Sequence, residues 1–311
     1  MLAFESQYKC PECNRDIKRT YLDLNKNEKC IEKLNKPEHV YRIRCKGNGV
    51  YEGEIINGNI NGKGTYYMAD GSRYEGDWLD GKRHGKGTYF DRKTGSVYDG
   101  DWKNDKMHGY GMIYFDRDHE PRVSKFDGEF VKNKINGYGK FVYHDGSQLL
   151  ANWRMGKLTG GPVVFNFHFG GKYEGTLSKL DGTFLKGKFT CENGDIYDGH
   201  FKNNLPNGYG VYYFCSNSKL KDSRYEGNFV DGNFNGKGTL FYSNGVKYTC
   251  KWIDNKSSSN GQFYFNNKKI NRKDVCKNNN NNNNYDLSKS RFSVQSYSYS
   301  ITTLFEYQSL S

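Results

Sequence analysis

The chain has 311 residues, 35% of them hydrophobic, with a formal charge of +12 at pH 7 and a pI near 9.1. Tyrosine (26) and phenylalanine (20) outnumber what a compact aliphatic core requires, which excludes one large buried core and spreads the apolar surface along thin, repeated elements. The basic balance either draws an acidic partner, whether anionic lipid, nucleic acid or an acidic protein surface, or simply keeps a soluble chain self-repelling.

Residues 1–50 carry no repeat and are rich in Lys and Cys. The opening stretch has an acid at Glu5 and no apolar centre, unlike a secretory signal. No run approaches the roughly 18 apolar residues of a membrane helix. The expectation is a cytoplasmic chain whose cysteines stay reduced. Cys10-Pro-Glu-Cys13 puts two thiolates on one tight turn, half of a tetrahedral zinc site that Cys30 with Cys45, or His39, would complete. Cys30 and Cys45 are too far apart for the second pair of a zinc ribbon, so a structural zinc and free thiols both stay open. Cys191, Cys215, Cys250 and Cys276 read as ordinary thiols.

From Tyr51 a pattern begins whose clearest copy is Tyr74 to Tyr89, Y-E-G-D-W-L-D-G-K-R-H-G-K-G-T-Y. Alternation places Tyr74, Gly76 and Trp78 on one face of a strand and Glu75 and Asp77 on the other. Asp80-Gly81 suits the positive φ of a tight turn, and a second extended run from Gly85 to Phe90 completes a β-hairpin. Gly76 leaves a gap between rings, predicted to receive an aromatic ring from a neighbouring strand. Copies open at Tyr51, Tyr74, Tyr98, Phe126, Leu149, Tyr173, Tyr197, Tyr225 and Tyr248. The fifth has Ala151 at the glycine position, the sixth lacks G-x-G in its second half, and the ninth, with Cys250 for glycine, reads as a terminal cap. Two intervals, 98–126 and 197–225, are longer than the rest and fall four copies apart. They predict projecting loops at Asp116–Lys125 and Ser216–Arg224, from duplication of a four-copy block or from two separate insertions.

The pattern Y-E-G-D-W-x-x-G-x-x-x-G-x-G resembles the MORN repeat, the membrane occupation and recognition nexus motif. Tyr51–Tyr66, Tyr74–Tyr89, Tyr98–Ile113, Phe126–Phe141, Tyr197–Tyr212 and Tyr225–Leu240 carry the resemblance best. It implies an all-β fold, an elongated single-layer antiparallel sheet of tandem hairpins over 51–269, with a small N-terminal cap over 1–50. It also implies a non-enzymatic protein that scaffolds or associates with membranes, and frequent homodimers, which an open C-terminal sheet edge would serve.

The leading expectation is a scaffold that binds a protein partner through a ring-lined groove formed by Tyr51, Tyr74, Trp78, Tyr98, Trp102, Phe126, Phe130, Tyr197, Phe201, Tyr225 and Phe229. The alternative is a peripheral membrane module, with Lys82, Arg83, Lys86, Lys103, Lys106, Lys132 and Lys134 meeting anionic phospholipid headgroups. Nucleic-acid binding is disfavoured, because neither an RNP-like motif nor a basic helix is legible. The G-x-G pairs feed strands rather than a helix N-terminus, so they are not phosphate loops. Glu75 and Asp77 recur as solvent-facing strand acids, and His84 and His108 lie in turns without a nucleophile nearby, so no catalytic residue is assigned and no cofactor is required. Residues 270–311 include the asparagine run Asn278–Asn284 and an alternating stretch with Phe292, Val294, Tyr297, Tyr299 and Ile301. That composition predicts a disordered tail, with a docking peptide as the alternative.

Overall fold

The computed structural model describes residues 7–9, 16–24, 27–33, 40–45, 47–178, 182–215 and 220–271. Among them every regular element is a strand and none is a helix. Strands pair antiparallel in the order of the chain, as in a meander. The chain divides into two compact units, one built mainly on Met1–Asp145 and Trp153–Gly156, the other on Gly146–Asn152 and Lys157–Ser309. Ahead of the first copy, Val40–Arg44 pairs with Val50–Ile56, Ile43 opposite Tyr51, so the N-terminal segment caps the array by extending its sheet. Residues 272–311, with Phe292 and its alternating neighbours, lie outside the described residues.

The second copy shows how sequence sets local structure. Arg73–Leu79 and Lys82–Phe90 form the hairpin, and its turn residues Asp80 (φ 49) and Gly81 (φ 73) both take the positive φ that matches strand twist. Register then runs Gly76 to Gly87 and Asp77 to His84, leaving Gly85 and Lys86 as a two-residue bulge. Gly85 takes φ +60, and Asp77 closes the bulge by accepting from the Lys86 amide at 2.8 Å. Glu54 and Asp101 do the same for the amides of Lys63 and Tyr110. Glu75 is exposed as expected, whereas Asp77 is half-buried and shapes the backbone.

The ring in the glycine gap is the hairpin's own. Gly76 faces Gly87 across the hairpin, and Tyr74, two residues before Gly76, lies over both. The expected ring from a neighbouring strand is thus replaced by one running along its own strand, because the two facing glycines open a gap long enough for a whole phenol. Tyr51 covers Gly53 and Gly64, Tyr98 covers Gly100 and Gly111, Phe126 covers Gly128 and Gly139, Tyr197 covers Gly199 and Gly210, and Tyr225 covers Gly227 and Gly238. Each phenol reaches a carbonyl three residues on, from Tyr51 to Glu54 (3.0 Å), Tyr74 to Asp77 (2.9 Å), Tyr98 to Asp101 (2.8 Å) and Tyr197 to His200 (2.7 Å). The sixth copy shows which glycine matters: Tyr173 still covers Gly175 and Gly187, although the other glycine of G-x-G is Leu185. In the fifth, Leu149 and Ala151 fill the site, both fully buried, and the second strand breaks into Lys157–Leu158 and Val163–Asn166.

The fifth residue of each good copy ties it to the copy before. Trp78 packs edge-on between Tyr51 and Tyr74, with centroids 5.3 and 5.1 Å away, and Trp102 repeats this with Tyr74 and Tyr98 at 5.2 Å each. Phe130 continues the ladder between Tyr98 and Phe126. In the other unit Phe201 sits between Tyr173 and Tyr197, and Phe229 between Tyr197 and Tyr225. Edge-to-face pairs of this kind add about 0.5–1.5 kcal/mol each beyond the area they bury.

Candidate functional site

The array offers three surfaces: the ring face, the edge of hairpin tips and the outer face. All eleven rings expected to line a groove are buried, from Tyr51, Tyr74, Tyr197 and Tyr225 at 0% exposure to Trp78 at 8%. They are the core of the sheet, each covered by its neighbours in the ladder. Burial holds the phenols of Tyr51, Tyr74, Tyr98, Tyr173, Tyr197 and Tyr225 above their ordinary range.

The hairpin tips share one edge of the sheet, and there the basic residues divide. Lys82, Lys103, Lys106, Lys132 and Lys134 are exposed at three successive tips of one unit, and none makes an ion pair among the described residues. Arg83 is committed to the fold: its guanidinium lies 4.3 Å from the Trp102 ring centroid, its Nη2 donates to the Asp105 carbonyl at 2.9 Å, and its Nε pairs with the Asp105 carboxylate. Lys86 projects from the outer face and pairs with Asp101 at 2.6 Å, as Lys63 does with Asp77 at 2.5 Å. Burial alone would raise the Asp77 pKa, but hydrogen bonds from Lys63 and the Lys86 amide together hold it below the usual carboxylate value.

The opposite edge, where copies connect, holds small buried polar residues. Ser72 accepts from the Arg92 amide (3.1 Å), Ser147 from the His168 amide (3.1 Å), and Asp195 from the Cys215 amide (2.6 Å), each binding one connection to the next. Tyr212 donates to Asp195 at 2.7 Å, and Cys191 lies in the same connection, its thiol pushed up to about 12 by burial and by Asp195 and Cys215. Among the described residues no three His, Cys, Asp or Glu side chains come together in a metal-holding arrangement. Cys10, Cys13 and His39 lie outside them, Cys30 is placed on the strand Asn27–Lys33, and Cys45 is half-buried, its thiol 4.0 Å from the Ile43 carbonyl.

The outer face holds residues that sequence reasoning passed over. Tyr110, Tyr114, Tyr138, Tyr209 and Tyr213 are all more than 40% exposed. None of the five is among the rings expected to line a groove. Strand parity is the signal that finds these five, since each stands an odd number of residues from the covered glycine of its strand.

The model of the MORN repeat family matches residues 51–73, 74–93, 98–117, 126–148, 197–219 and 225–247. Alsin from Rattus norvegicus and from Homo sapiens are each 30% identical over 87 residues, which is 26% of this chain and 5% of theirs. This chain therefore matches only a small part of the length of those relatives. Among solved structures, the TCP10 domain of Danio rerio CPAP matches at 11% identity and a TM-score of 0.22, over 85% of this chain and 97% of that one. The TCP domain of Drosophila melanogaster SAS-4, solved with a proline-rich motif of Ana2, matches at 9% identity and a TM-score of 0.21, over 70% of this chain and 88% of that one.

Proposed function

Because this chain carries six MORN repeats, we propose that it is a non-catalytic scaffold whose array binds a protein partner. The observation that supports this reading most is the repetition of outward-facing chemistry. Glu52, Glu75, Asp99, Asp127, Glu174, Asp198 and Glu226 each follow the opening ring of their copy and face away from it. Chemistry that recurs in seven of the nine copies suits a partner that makes the same contact more than once. The test is reconstitution of the full-length chain with a purified binding protein, read by hydrogen exchange. Protection over strands between residues 51 and 271 is expected. Protection confined to residues 1–39 or 272–311 would remove the array from the function.

A second reading is supported by the five free lysines at the tips. Near an anionic membrane each contributes about 1 kcal/mol. Co-sedimentation with phosphatidylserine vesicles, falling with salt and lost in a Lys82→Glu, Lys106→Glu, Lys134→Glu variant, is the expected result. Equal binding to phosphatidylcholine vesicles would exclude it.

A further inference from the structure

The two units carry the same arrangement on their outer faces. In one, the strand Lys106–Tyr114 presents Tyr110, Met112 and Tyr114 away from the ring ladder; in the other, Leu205–Tyr213 presents Tyr209, Val211 and Tyr213 at the corresponding positions. The tyrosines are 53% and 44% exposed in the first and 58% and 41% in the second. Carboxylates stand in register on both sides of the middle residue: Asp99 and Asp127 beside Met112, Asp198 and Glu226 beside Val211. Both strands lead into the longer connections noted in the sequence. Agreement at each position, with side chains that differ in detail, sets these patches apart from the singly scattered apolar residues normal on any surface.

We propose that each patch docks an extended basic peptide in which a lysine or arginine is flanked, two residues away on either side, by apolar side chains. The inference rests on the scaffold reading and names the partner's chemistry. Along a strand, residues four apart are separated by roughly 14 Å, and an extended peptide repeats that spacing on one of its faces. Its outer side chains meet the two tyrosines while its centre stands over Met112 or Val211, between carboxylates roughly 10 Å apart across two strand spacings. On one side the acid is already engaged: Asp127 takes the Tyr110 hydroxyl and Lys125 (3.5 Å), and Glu226 takes Arg224 (2.7 Å). On the other, Asp99 accepts the Thr88 hydroxyl (3.3 Å), and the Asp198 carboxylate, opposite Lys188 in register, makes no hydrogen bond or ion pair among the described residues, so these two are left for an incoming cation. The lysine or arginine is selected by Asp99 in the first patch and Asp198 in the second, the acids beside each middle residue that no ion pair engages among the described residues, whereas Lys125 and Arg224 already engage the other two.

The probe is a fluorescein-labelled peptide of sequence Gly-Phe-Thr-Lys-Thr-Phe-Gly, titrated into the full-length chain by anisotropy and calorimetry. Two sites per chain are expected. Tyr110→Ser should remove one, Tyr209→Ser the other, and the double variant both, with circular dichroism melts showing that the fold is kept. Asp99→Asn with Asp198→Asn, or glutamate for the probe's lysine, should weaken binding about tenfold. Equal binding of the glutamate probe, or an unchanged titration in the folded double variant, would overturn the proposal. So would sedimentation showing that the double variant dissolves a dimer of the unliganded chain, which would give these faces to a second copy. If the peptide fails while a protein partner still protects array strands elsewhere, the scaffold reading survives and only this inference falls.

Discussion

Tyr74 lies across Gly87 on the opposite strand of its hairpin, where a Cβ would stand 2.5 Å from ring carbons Cε2 and Cζ. No β-carbon tolerates that approach, so Gly87→Ala displaces the ring from the centre of the ladder. The expected cost is about 1–3 kcal/mol, seen as a lower Tm. Gly81→Ala tests the alternative that any glycine loss is equivalent: its Cβ meets nothing within 4 Å, so only the strain of its positive φ is felt. In a double-mutant cycle, Tyr74→Ala should relieve part of the Gly87→Ala cost. Strict additivity would show that the two residues do not share the site.

The fourth copy has Phe126 where the second and third copies have a tyrosine donating to the carbonyl three residues on. Phe126→Tyr should supply the missing donor to Glu129 and stabilise the chain by about 1 kcal/mol. Tyr98→Phe should cost a similar amount. Chemical denaturation with an unchanged m-value checks both, and a Phe126→Tyr variant less stable than the parent would mean that the hydroxyl has no room.

Asp77→Ala leaves the Lys86 amide and the Lys63 ammonium without their acceptor. At neutral pH the loss should be about 1 kcal/mol. Because the folded-state pKa of Asp77 is lowered from 3.8, its contribution is present above that value and fades as pH falls through the folded pKa. Melts of parent and variant should therefore converge in acid. A gap that stays constant across that range would assign the effect to packing rather than to the carboxylate.

The six buried array phenols carry the opposite sign. Their folded-state pKa values are raised above the ordinary tyrosine value of 10.0, so the stability they contribute is complete below that pH and declines above it, as the unfolded chain ionises and the folded one does not. Alkaline titration followed at the phenolate absorption band should show these tyrosines ionising together with unfolding. Smooth ionisation of every tyrosine while the chain stays folded would contradict their burial.

The hairpin, its Asp80-Gly81 turn and the pairing of rings with glycines were legible because period-2 alternation and a two-residue turn are local properties of the chain. The six copies that read best in sequence are the six the family model matches. Which ring fills the gap over Gly76 was not legible, since that depends on Gly87 standing opposite, and register belongs to the pair of strands. Asp77 looked like a solvent-facing acid for a related reason: the bulge it closes exists only once Gly85 and Lys86 have left the ladder. Arg83 reads as a free cation until Trp102, from the next copy, comes beneath it. The outer tyrosines were hidden by composition, because a chain so rich in aromatics invites every ring to be counted as core.

The indole N–H groups set how the array comes apart. Trp78 donates to the Gly64 carbonyl at 3.0 Å and Trp102 to that of Gly87 at 2.9 Å, so each of these hairpins is latched to its predecessor by a bond as well as by ring contact. Where phenylalanine stands instead, at Phe130, Phe201 and Phe229, the strand pairing and ring contact remain but this side-chain bond is missing, and at Trp153 the indole nitrogen is buried without an acceptor among the described residues. Nearest-neighbour coupling is therefore uneven along the chain. Under load or denaturant the first three copies behave as one cooperative block, and the seams that open first are the junctions where tryptophan gives way to phenylalanine.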